Sequence, residues 1–526
     1  MVEYIKDGSI MFRKFIKLLS QKAGITVVSF LIQIALIVVG VIYAASYFWW
    51  VWILSEFISF VICLYLVSRD INPSYKLSWC VLLLLAPAFG GLVYLFIGRQ
   101  HTPRRVRKRL KRASDVSQVL LNMTNAQLLS SRASLNPTGS TCADLVLNAG
   151  SYPVYGNTAT KYYPLGDVLF PDMIADIRNA EKFVFMEYFI IDRGEIWNEI
   201  EKALIERAQA GVDVKLIYDD VGSMFTLPKK GIKRLIAGGV DVRPFNKITL
   251  SFDMRLNNRS HRKITVVDGK IAYTGGNNIA DEYANKNARL GHWKDTHMRF
   301  EGDAVWSFTA MFLSFWATLD RKAIKRMTVD YYEYLTPNTT KFDCAGYVQP
   351  LSSGPGRDEH LIESAFINLI STAKRSVCIT TPYLILDNEI QTALINAALA
   401  GVDVRIIIPH IPDKKIVYKT TKSFVPMLVK SGVKVYAYSP GFIHAKTVIV
   451  DDDRAFIGTC NMDYRSFYLH YEDGALLYNV GTIAEMKADF NATQAVSKEV
   501  TADEINDVTL LTRIVRSVLR LIAPMM

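Results

Sequence analysis

The chain has 526 residues, of which 50% are hydrophobic, and it carries a formal net charge of +11. It is long enough for more than one domain and more apolar than most soluble proteins. Its six cysteines are scattered without a C-x-x-C pair, which argues against both a zinc site and a disulfide framework.

Apolar residues concentrate near the N-terminus, behind a basic segment at residues 1–22. No charged residue occurs from Ala23 to Ser55, and a second uncharged run extends from Leu77 to Gly98. A helix needs roughly 20 apolar residues to cross a bilayer, whereas the apolar core of a cleaved signal peptide has about 7–15. Residues 23–98 are therefore predicted to be a transmembrane region with two or three hydrophobic segments.

The charges that flank this region restrict its topology. The stretch 99–112 holds eight Arg and Lys and no acidic residue. The positive-inside rule puts this stretch and the basic N-terminus in the cytoplasm. That placement needs an even number of crossings, so either 23–68 forms one long element or 86–91 is the bend of a re-entrant hairpin. Both alternatives predict a multi-pass protein of the cell membrane whose catalytic domains are cytoplasmic.

After a basic flank and polar linker at 99–150, strand and helix patterns alternate and then recur. Strand, helix and strand are predicted over 181–220 and again over 374–410, where AGVDVKLI and AGVDVRII lie 190 residues apart. Buried strands that alternate with helices predict an α/β fold, with a sheet flanked by helices in each domain. We expect two pseudo-twofold-related domains, at 151–335 and 336–526, the second ending in an amphipathic helix.

One polar pattern, H-x-K-x4-D-x6-G-[GT]-x-N, occurs in each domain. Its polar residues are His261, Lys263, Asp268 and Asn278, and then His444, Lys446, Asp451 and Asn461. Side chains two residues apart on a strand point the same way, so each imidazole should project beside an ammonium. Two copies facing each other would surround one point with two imidazoles, two cations and two amides.

Such a cage suits a phosphodiester, whose charge the lysines hold while it is attacked. One histidine can act as the nucleophile and the other as the general acid on the leaving alkoxide. The lysines already supply positive charge, so neither a metal ion nor another cofactor is expected.

The doubled motif resembles that of the phospholipase D superfamily. The segments SHRKITVVDGKIAYTGGNNIADEY and FIHAKTVIVDDDRAFIGTCNMDYRSF, with the apolar N-terminal segments, are similar to bacterial cardiolipin synthases. The resemblance covers essentially the whole chain. It implies a phosphatidyltransferase that converts two phosphatidylglycerols into cardiolipin and glycerol through a phosphohistidine intermediate. A membrane-bound hydrolase of the phospholipase D type and another phosphatidyltransferase are the alternatives.

The resemblance also implies roles for individual residues. His261 and His444 form the catalytic pair, with His261 as the more usual nucleophile, while Asp268 and Asp451 look more structural than chemical. The residues implied to hold the phosphate are Lys263, Lys446, Asn278 and Asn461, and those implied to orient the histidines are Asp295 and Glu472. The first domain has GGNN where many relatives have Gly-Ser, which removes one hydroxyl.

The expected partners are the membrane and an anionic phospholipid, phosphatidylglycerol. Nucleic acid is not expected, because the positive charge clusters beside the apolar region rather than along a soluble groove. The C-terminal helix with Arg513, Arg516 and Arg520 either lies on the bilayer or closes the second domain. No direct role is predicted for the histidines without a repeated partner, which are His101, His292, His297, His360, His410 and His470. The sequence leaves the oligomeric state open.

Overall fold

The computed structural model describes residues 33–35, 37–40, 43, 49–94, 98, 121, 137–246, 258–319, 334, 339–355, 360–501, 503–504 and 508–525. The described elements fall into a small N-terminal unit and a large unit. The N-terminal unit holds α1 (Trp49–Val67), α2 (Pro73–Leu85) and α3 (Pro87–Val93).

Proline and asparagine set the helix boundaries in the N-terminal unit. Asn72 caps α2 by accepting a hydrogen bond from the Ser74 N–H, with Pro73 at the first helical position. Pro87 ends α2 and starts α3, because proline disfavours helical backbone at the residue before it. This break lies within 86–91, the stretch predicted as a possible re-entrant bend.

The predicted crossings are only partly covered by the described residues. The first apolar run begins outside them, at 23–32. Among the helices that are described, none combines the length and the apolar character that crossing a bilayer requires.

The large unit contains every other element. Its helices are α4 (Pro137–Gly150), α5 (Gly166–Arg178), α6 (Glu195–Gln209), α7 (Lys229–Ala237), α8 (Val305–Leu319), α9 (Leu361–Ser371), α10 (Asn388–Leu399), α11 (Lys415–Lys430), α12 (Thr482–Ala495) and α13 (Leu510–Ile522). The strands of its first half are β1 (Thr158–Tyr163), β2 (Phe183–Tyr188), β3 (Asp213–Asp219), β4 (Asp241–Phe245), β5 (Lys263–Val267), β6 (Ile271–Gly275), β7 (His292–Lys294) and β8 (His297–Gly302).

The strands of the second half repeat this arrangement. They are β9 (Tyr347–Ser353), β10 (Ser376–Thr380), β11 (Leu384–Ile385), β12 (Asp403–Pro409), β13 (Lys434–Tyr438), β14 (Gly441–Ile443), β15 (Thr447–Val450), β16 (Arg454–Gly458), β17 (Met462–Asp463), β18 (Glu472–Tyr478) and β19 (Ser497–Glu499). The first sheet has the order β1-β8-β6-β5-β2-β3-β4, and the second has β9-β18-β16-β15-β10-β12-β13 with β19 added at the end.

Each half is therefore a mixed sheet with helices against it, as the α/β prediction required. The β2–β3–β4 and β10–β12–β13 runs are parallel, and the motif strands β5 and β15 pair antiparallel with β2 and β10. In both halves the motif strand thus lies next to the first parallel strand.

The two sheets share one core across the centre of the unit. Helix α8 is buried along nearly its whole length, and the ring of Phe312 stacks on Phe185 of the first sheet at 4.7 Å. The same helix packs against β9 of the second sheet. A single hydrophobic cluster joins residues of both halves, so the halves are not separately packed bodies.

One predicted boundary is corrected by the structure. The end of the presumed linker 99–150 is not a linker but helix α4, whose Cys142 and Val146 are fully buried in this shared core. The Ser, Thr and Asn residues of α4 obscured its apolar face. The boundary expected at 335/336 lies in a stretch outside the described residues.

Candidate active site

The main chain brings the two motifs against each other. The His261 N–H donates to the Tyr471 carbonyl at 2.9 Å, and the His444 N–H donates to the Lys294 carbonyl at 2.7 Å. Beside the second contact, β14 pairs parallel with β7 of the other half. Each motif histidine therefore lies next to the segment that leads into a carboxylate of the opposite half.

This backbone pairing also corrects the expected strand positions. Both histidines were expected on a strand, but β5 begins only at Lys263 and β15 only at Thr447. The histidines precede the strands because their N–H groups pair with the opposite half rather than with their own sheet.

The carboxylates are exchanged between the halves. His261 Nδ1 lies 2.9 Å from Glu472 Oε2, and His444 Nδ1 lies 2.6 Å from Asp295 Oδ2. Both carboxylates are fully buried. A carboxylate on Nδ1 fixes the tautomer and the ring orientation, and it directs chemistry to the other nitrogen, Nε2.

Both motif lysines are buried beside their histidines. Lys263 Nζ donates to the His261 carbonyl at 2.7 Å, and Lys446 Nζ contacts the His444 carbonyl and lies 2.8 Å from His444 Nδ1. Burial lowers the pKa of Lys263 to about 8 and that of Lys446 to about 7. Two ammonium groups at this position can attract an anionic substrate group.

The two histidine–carboxylate pairs have different proton affinities. Burial lowers the pKa of both His261 and His444 well below the usual value. Burial also raises the pKa of Asp295 to about 6. Glu472 is buried too, but its contacts with His261 and His470 outweigh burial and hold its pKa below the usual range. The pKa values of the two carboxylates are therefore shifted in opposite directions, although both carboxylates are buried.

The motif aspartates accept hydrogen bonds from backbone N–H groups rather than from the motif histidines. Asp268 accepts hydrogen bonds from the N–H groups of residues 181–183, and Asp451 accepts them from those of residues 374–376. Both have a left-handed backbone, with φ of 54° and 53°. Each one ties the end of a motif strand to the start of the neighbouring strand. Asp451 has an additional ion pair with Arg454 at 2.9 Å.

The two motif asparagines differ in their surroundings. The side-chain Oδ1 of Asn278 accepts a hydrogen bond from the Ile190 N–H, and its side-chain Nδ2–H donates to the Tyr283 hydroxyl at 2.7 Å. The Asn461 Oδ1 is buried and has no hydrogen-bond partner among the described residues. Asn278 is thus engaged in holding the fold, whereas Asn461 keeps a polar atom available.

The turns before these asparagines also differ. In the second half the Thr459 hydroxyl donates to Glu472 Oε2 at 2.5 Å. In the first half the corresponding residue is Gly276, and a Cβ there would overlap Asp295 Oδ1. The missing hydroxyl of GGNN therefore reflects a carboxylate that occupies the space of the side chain.

His470, for which no role was predicted, lies inside the site. Its ring centroid is 5.4 Å from that of His261, and its Nδ1 is 3.6 Å from Glu472 Oε1. The residue at the same spacing before Asp295 is Trp293, whose ring lies 5.6 Å from that of His444. The signal available in the sequence was position alone: both residues come two places before a carboxylate that orients a histidine.

Two groups of side chains among the described residues have the geometry to hold a metal ion. One is His261, His470 and Glu472, and the other is Glu363, Asp387 and Glu389. In the second group the Tyr468 hydroxyl lies 2.8 Å from Glu363 and 2.7 Å from Asp387, and its single hydrogen can be donated to either carboxylate.

Comparison with known proteins gives the family. The family model described as cardiolipin synthase, PLD-like domain, matches residues 173–298 and 366–493, and a phospholipase D-nuclease N-terminal model matches residues 57–99. A cardiolipin synthase of a Geobacillus strain is 35% identical over 89% of this chain and 92% of its own length. One from Halalkalibacterium halodurans is 34% identical, over 92% and 97% respectively.

A solved structure extends the likeness to the fold. Phosphatidylserine synthase from Haemophilus influenzae matches with a TM-score of 0.56 at 18% identity, covering 74% of this chain and 97% of that one. Two copies of the family domain, in the halves that exchange their carboxylates, account for the repeated order of strands. The chain belongs to the cardiolipin synthase family, phosphatidyltransferases built from two phospholipase D-like domains.

Proposed function

We propose that this protein transfers the phosphatidyl group of one phosphatidylglycerol to a second one, releasing glycerol and forming cardiolipin. The observation that carries this proposal is the reciprocal exchange of carboxylates, which holds two histidines by Nδ1 beside two buried lysines. A phosphodiester between them would meet one nucleophile, one acid and two cations without a change of fold.

In the first step, Nε2 of His261 attacks phosphorus and the bond from phosphorus to the glycerol oxygen breaks. The pKa of His261 is lowered by burial, so the ring is neutral and its attacking nitrogen carries a lone pair. Glu472 accepts the Nδ1–H and stabilises the positive charge that the ring gains when the phosphohistidine forms.

His444 gives the proton that the departing glycerol oxygen needs. Asp295 bonds Nδ1 of His444 and so stabilises the imidazolium form that gives this proton, against the lowering of the His444 pKa by burial. In the second step, His444 takes a proton from the hydroxyl of the incoming phosphatidylglycerol, whose oxygen displaces Nε2 of His261 from phosphorus.

The remaining motif residues serve binding and geometry in this proposal. Lys263 and Lys446 neutralise the phosphate, and the side-chain amide N–H of Asn461 donates to it. Asn278 supports the turn through Tyr283, while Asp268 and Asp451 anchor the motif strands.

The lipid substrate requires contact with a membrane, and we assign that contact to two regions. Residues 23–98 act as a multi-pass anchor that leaves the catalytic halves in the cytoplasm, an assignment supported by the uncharged runs and their basic flanks. The amphipathic α13 adds a peripheral contact, since it exposes Leu510, Leu511 and Ile514 next to basic residues. Reporter fusions at residue 22 and at the C-terminus, compared for cytoplasmic and external activity, test this topology.

The decisive assay is incubation of the purified protein with labelled phosphatidylglycerol in vesicles. Cardiolipin and glycerol in equal amounts are the expected products. Phosphatidic acid with glycerol would mean that water replaces the second lipid, which is the hydrolase alternative. The His261→Ala variant is the control for contaminating lipases.

A further inference from the structure

We propose that His261, Glu472 and His470 form a binding site for a zinc-class cation, and that its occupancy blocks transfer. The binding site stands on geometry alone, whereas the inhibition rests on the proposed role of His261 as nucleophile.

His470 is the feature that the reaction leaves unused. It is about nine-tenths buried, at 8% exposure, and neither of its ring nitrogens has a hydrogen-bond partner among the described residues. Its backbone N–H donates to the Arg465 carbonyl at 2.8 Å, which fixes its place at the end of a short π-helical turn. Burying an imidazole with two nitrogens that lack hydrogen-bond partners is unfavourable unless a ligand binds to it.

The three side chains offer donor atoms at the spacing of a tetrahedral site. One donor atom from each lies within 4.8 Å of the others. Glu472 Oε1 lies 3.0 Å from His261 Nδ1 and 3.6 Å from His470 Nδ1. Zinc bonds of about 2.0–2.2 Å put tetrahedral ligands roughly 3.3–3.5 Å apart, so small side-chain adjustments complete the site.

The donor chemistry selects the class of cation. Two imidazoles and one carboxylate with an open fourth position are a zinc-type set, while magnesium and calcium prefer oxygen ligands alone. Carboxylates surround the site, since Asp463 and Asp473 are buried beside it. They offset the ammonium of Lys263, whose main-chain N–H is itself bonded to Asp473.

Among the described residues, the equivalent three-ligand set is missing beside His444. Trp293 stands where His470 would be required next to His444 and Asp295, and an indole offers no lone pair to a metal. The cation would therefore bind at the proposed nucleophile and not at the proposed acid.

Binding blocks the reaction through the tautomer of His261. Free His261 donates its Nδ1–H to Glu472 and keeps a lone pair on Nε2. With a metal ion on Nδ1, the neutral ring carries its proton on Nε2, which then has no lone pair for phosphorus. The metal also takes the carboxylate that would stabilise the imidazolium.

The test uses the full-length protein in detergent, freed of metal by a chelator. Cobalt(II) titration followed by visible absorption reports four-coordinate binding, and zinc titration of the transfer assay reports inhibition. His470→Asn removes one ligand, and Trp293→His adds the equivalent ligand to the other half. Each variant is compared with its own metal-free rate.

We expect one tight equivalent in the wild type, binding that is roughly 10–100-fold weaker in His470→Asn, and a matching loss of sensitivity to zinc. Trp293→His should bind a second equivalent. Equal binding and equal inhibition in wild type and His470→Asn would overturn the site. Tight binding through His470 without inhibition would overturn the blocking step and, with it, the assignment of His261 as nucleophile.

Discussion

The two half-sites have the same strand order and the same motif, yet the pKa values of the carboxylates behind their histidines shift in opposite directions. His261 is paired with Glu472, whose pKa lies below its usual range, and His444 is paired with Asp295, whose pKa rises to about 6. A symmetric backbone thus carries an asymmetric pair of acids. The comparison teaches that the two half-sites differ in the contacts behind the histidines and not in the motif.

The contacts around each carboxylate explain the difference. Glu472 receives the Thr459 hydroxyl and faces two histidines, all of which favour its charged form. Asp295 has Gly276 beside it and so lacks the side-chain hydroxyl that Glu472 receives from Thr459.

Of the substitutions that test this comparison, removal of either histidine should lower the activity most. His261→Ala and His444→Ala should each lower cardiolipin formation by roughly 10²–10⁴-fold or more, and the double variant should be little worse than either, because the rings act as one unit. Cardiolipin formation from labelled phosphatidylglycerol measures the loss.

A phosphatidyl donor with an activated leaving group separates the two roles. It needs no acid, so His444→Ala should still form phosphatidyl-enzyme after acid quench, while His261→Ala should form none. A label on the peptide that contains His444 would exchange the two assignments.

Neutralising the two carboxylates should cause the next largest loss of activity. Glu472→Gln and Asp295→Asn keep the shape but lose the charge that fixes each tautomer, so we expect losses of roughly 10²-fold or more. The activated donor should restore phosphatidyl-enzyme formation in Asp295→Asn but not in Glu472→Gln. Equal restoration in both would mean that the halves do not differ in role.

The fall of kcat/KM at alkaline pH should report the loss of charge on the two motif lysines. The pKa is lowered to about 8 for Lys263 and about 7 for Lys446, so both are charged in acid, Lys446 is about half charged near pH 7, and both lose charge as the pH rises further. Phosphate binding should weaken accordingly, and kcat/KM should fall with apparent pKa values that belong to the coupled pair. A profile that stays flat to about pH 10, as ordinary lysines would give, contradicts this.

The turn residues should give a smaller and unequal effect. Gly276→Ala places a methyl group on Asp295 and should displace it, with a loss of roughly tenfold or more in kcat. Thr459→Val removes the hydrogen bond to Glu472 and the one that the hydroxyl accepts from the Asp473 N–H, but it displaces neither residue and should cost less in kcat. A larger loss in Thr459→Val would reverse the comparison.

The motif aspartates should affect stability more than rate. Asp268→Asn and Asp451→Asn weaken three hydrogen bonds each, so we expect about 1–3 kcal/mol of lost stability and a lower Tm. Asp451→Asn should lose more because it also breaks the pair with Arg454. Thermal unfolding measures the loss of stability, and kcat of the same variants measures the loss of rate. A large loss of kcat at unchanged Tm would give these residues a chemical role.

The repeated motif and the order of strands were predictable because spacing and periodicity are local properties. Asp295 and Glu472 could be named from the sequence as carboxylates, but not the histidine each one serves. That pairing depends on β7 lying against β14 and on Tyr471 facing His261, contacts between residues more than a hundred positions apart. His470 was missed for the same reason, because its neighbours become visible only after the halves dock.

Since each half supplies the carboxylate for the histidine of the other, neither half contains a complete catalytic set. Two separate halves would have to find each other, and their activity would fall as the square of their dilution. Covalent linkage replaces that encounter with an intramolecular docking whose effective concentration is fixed by the chain. The fraction of molecules with a complete active site is consequently independent of the concentration of the protein.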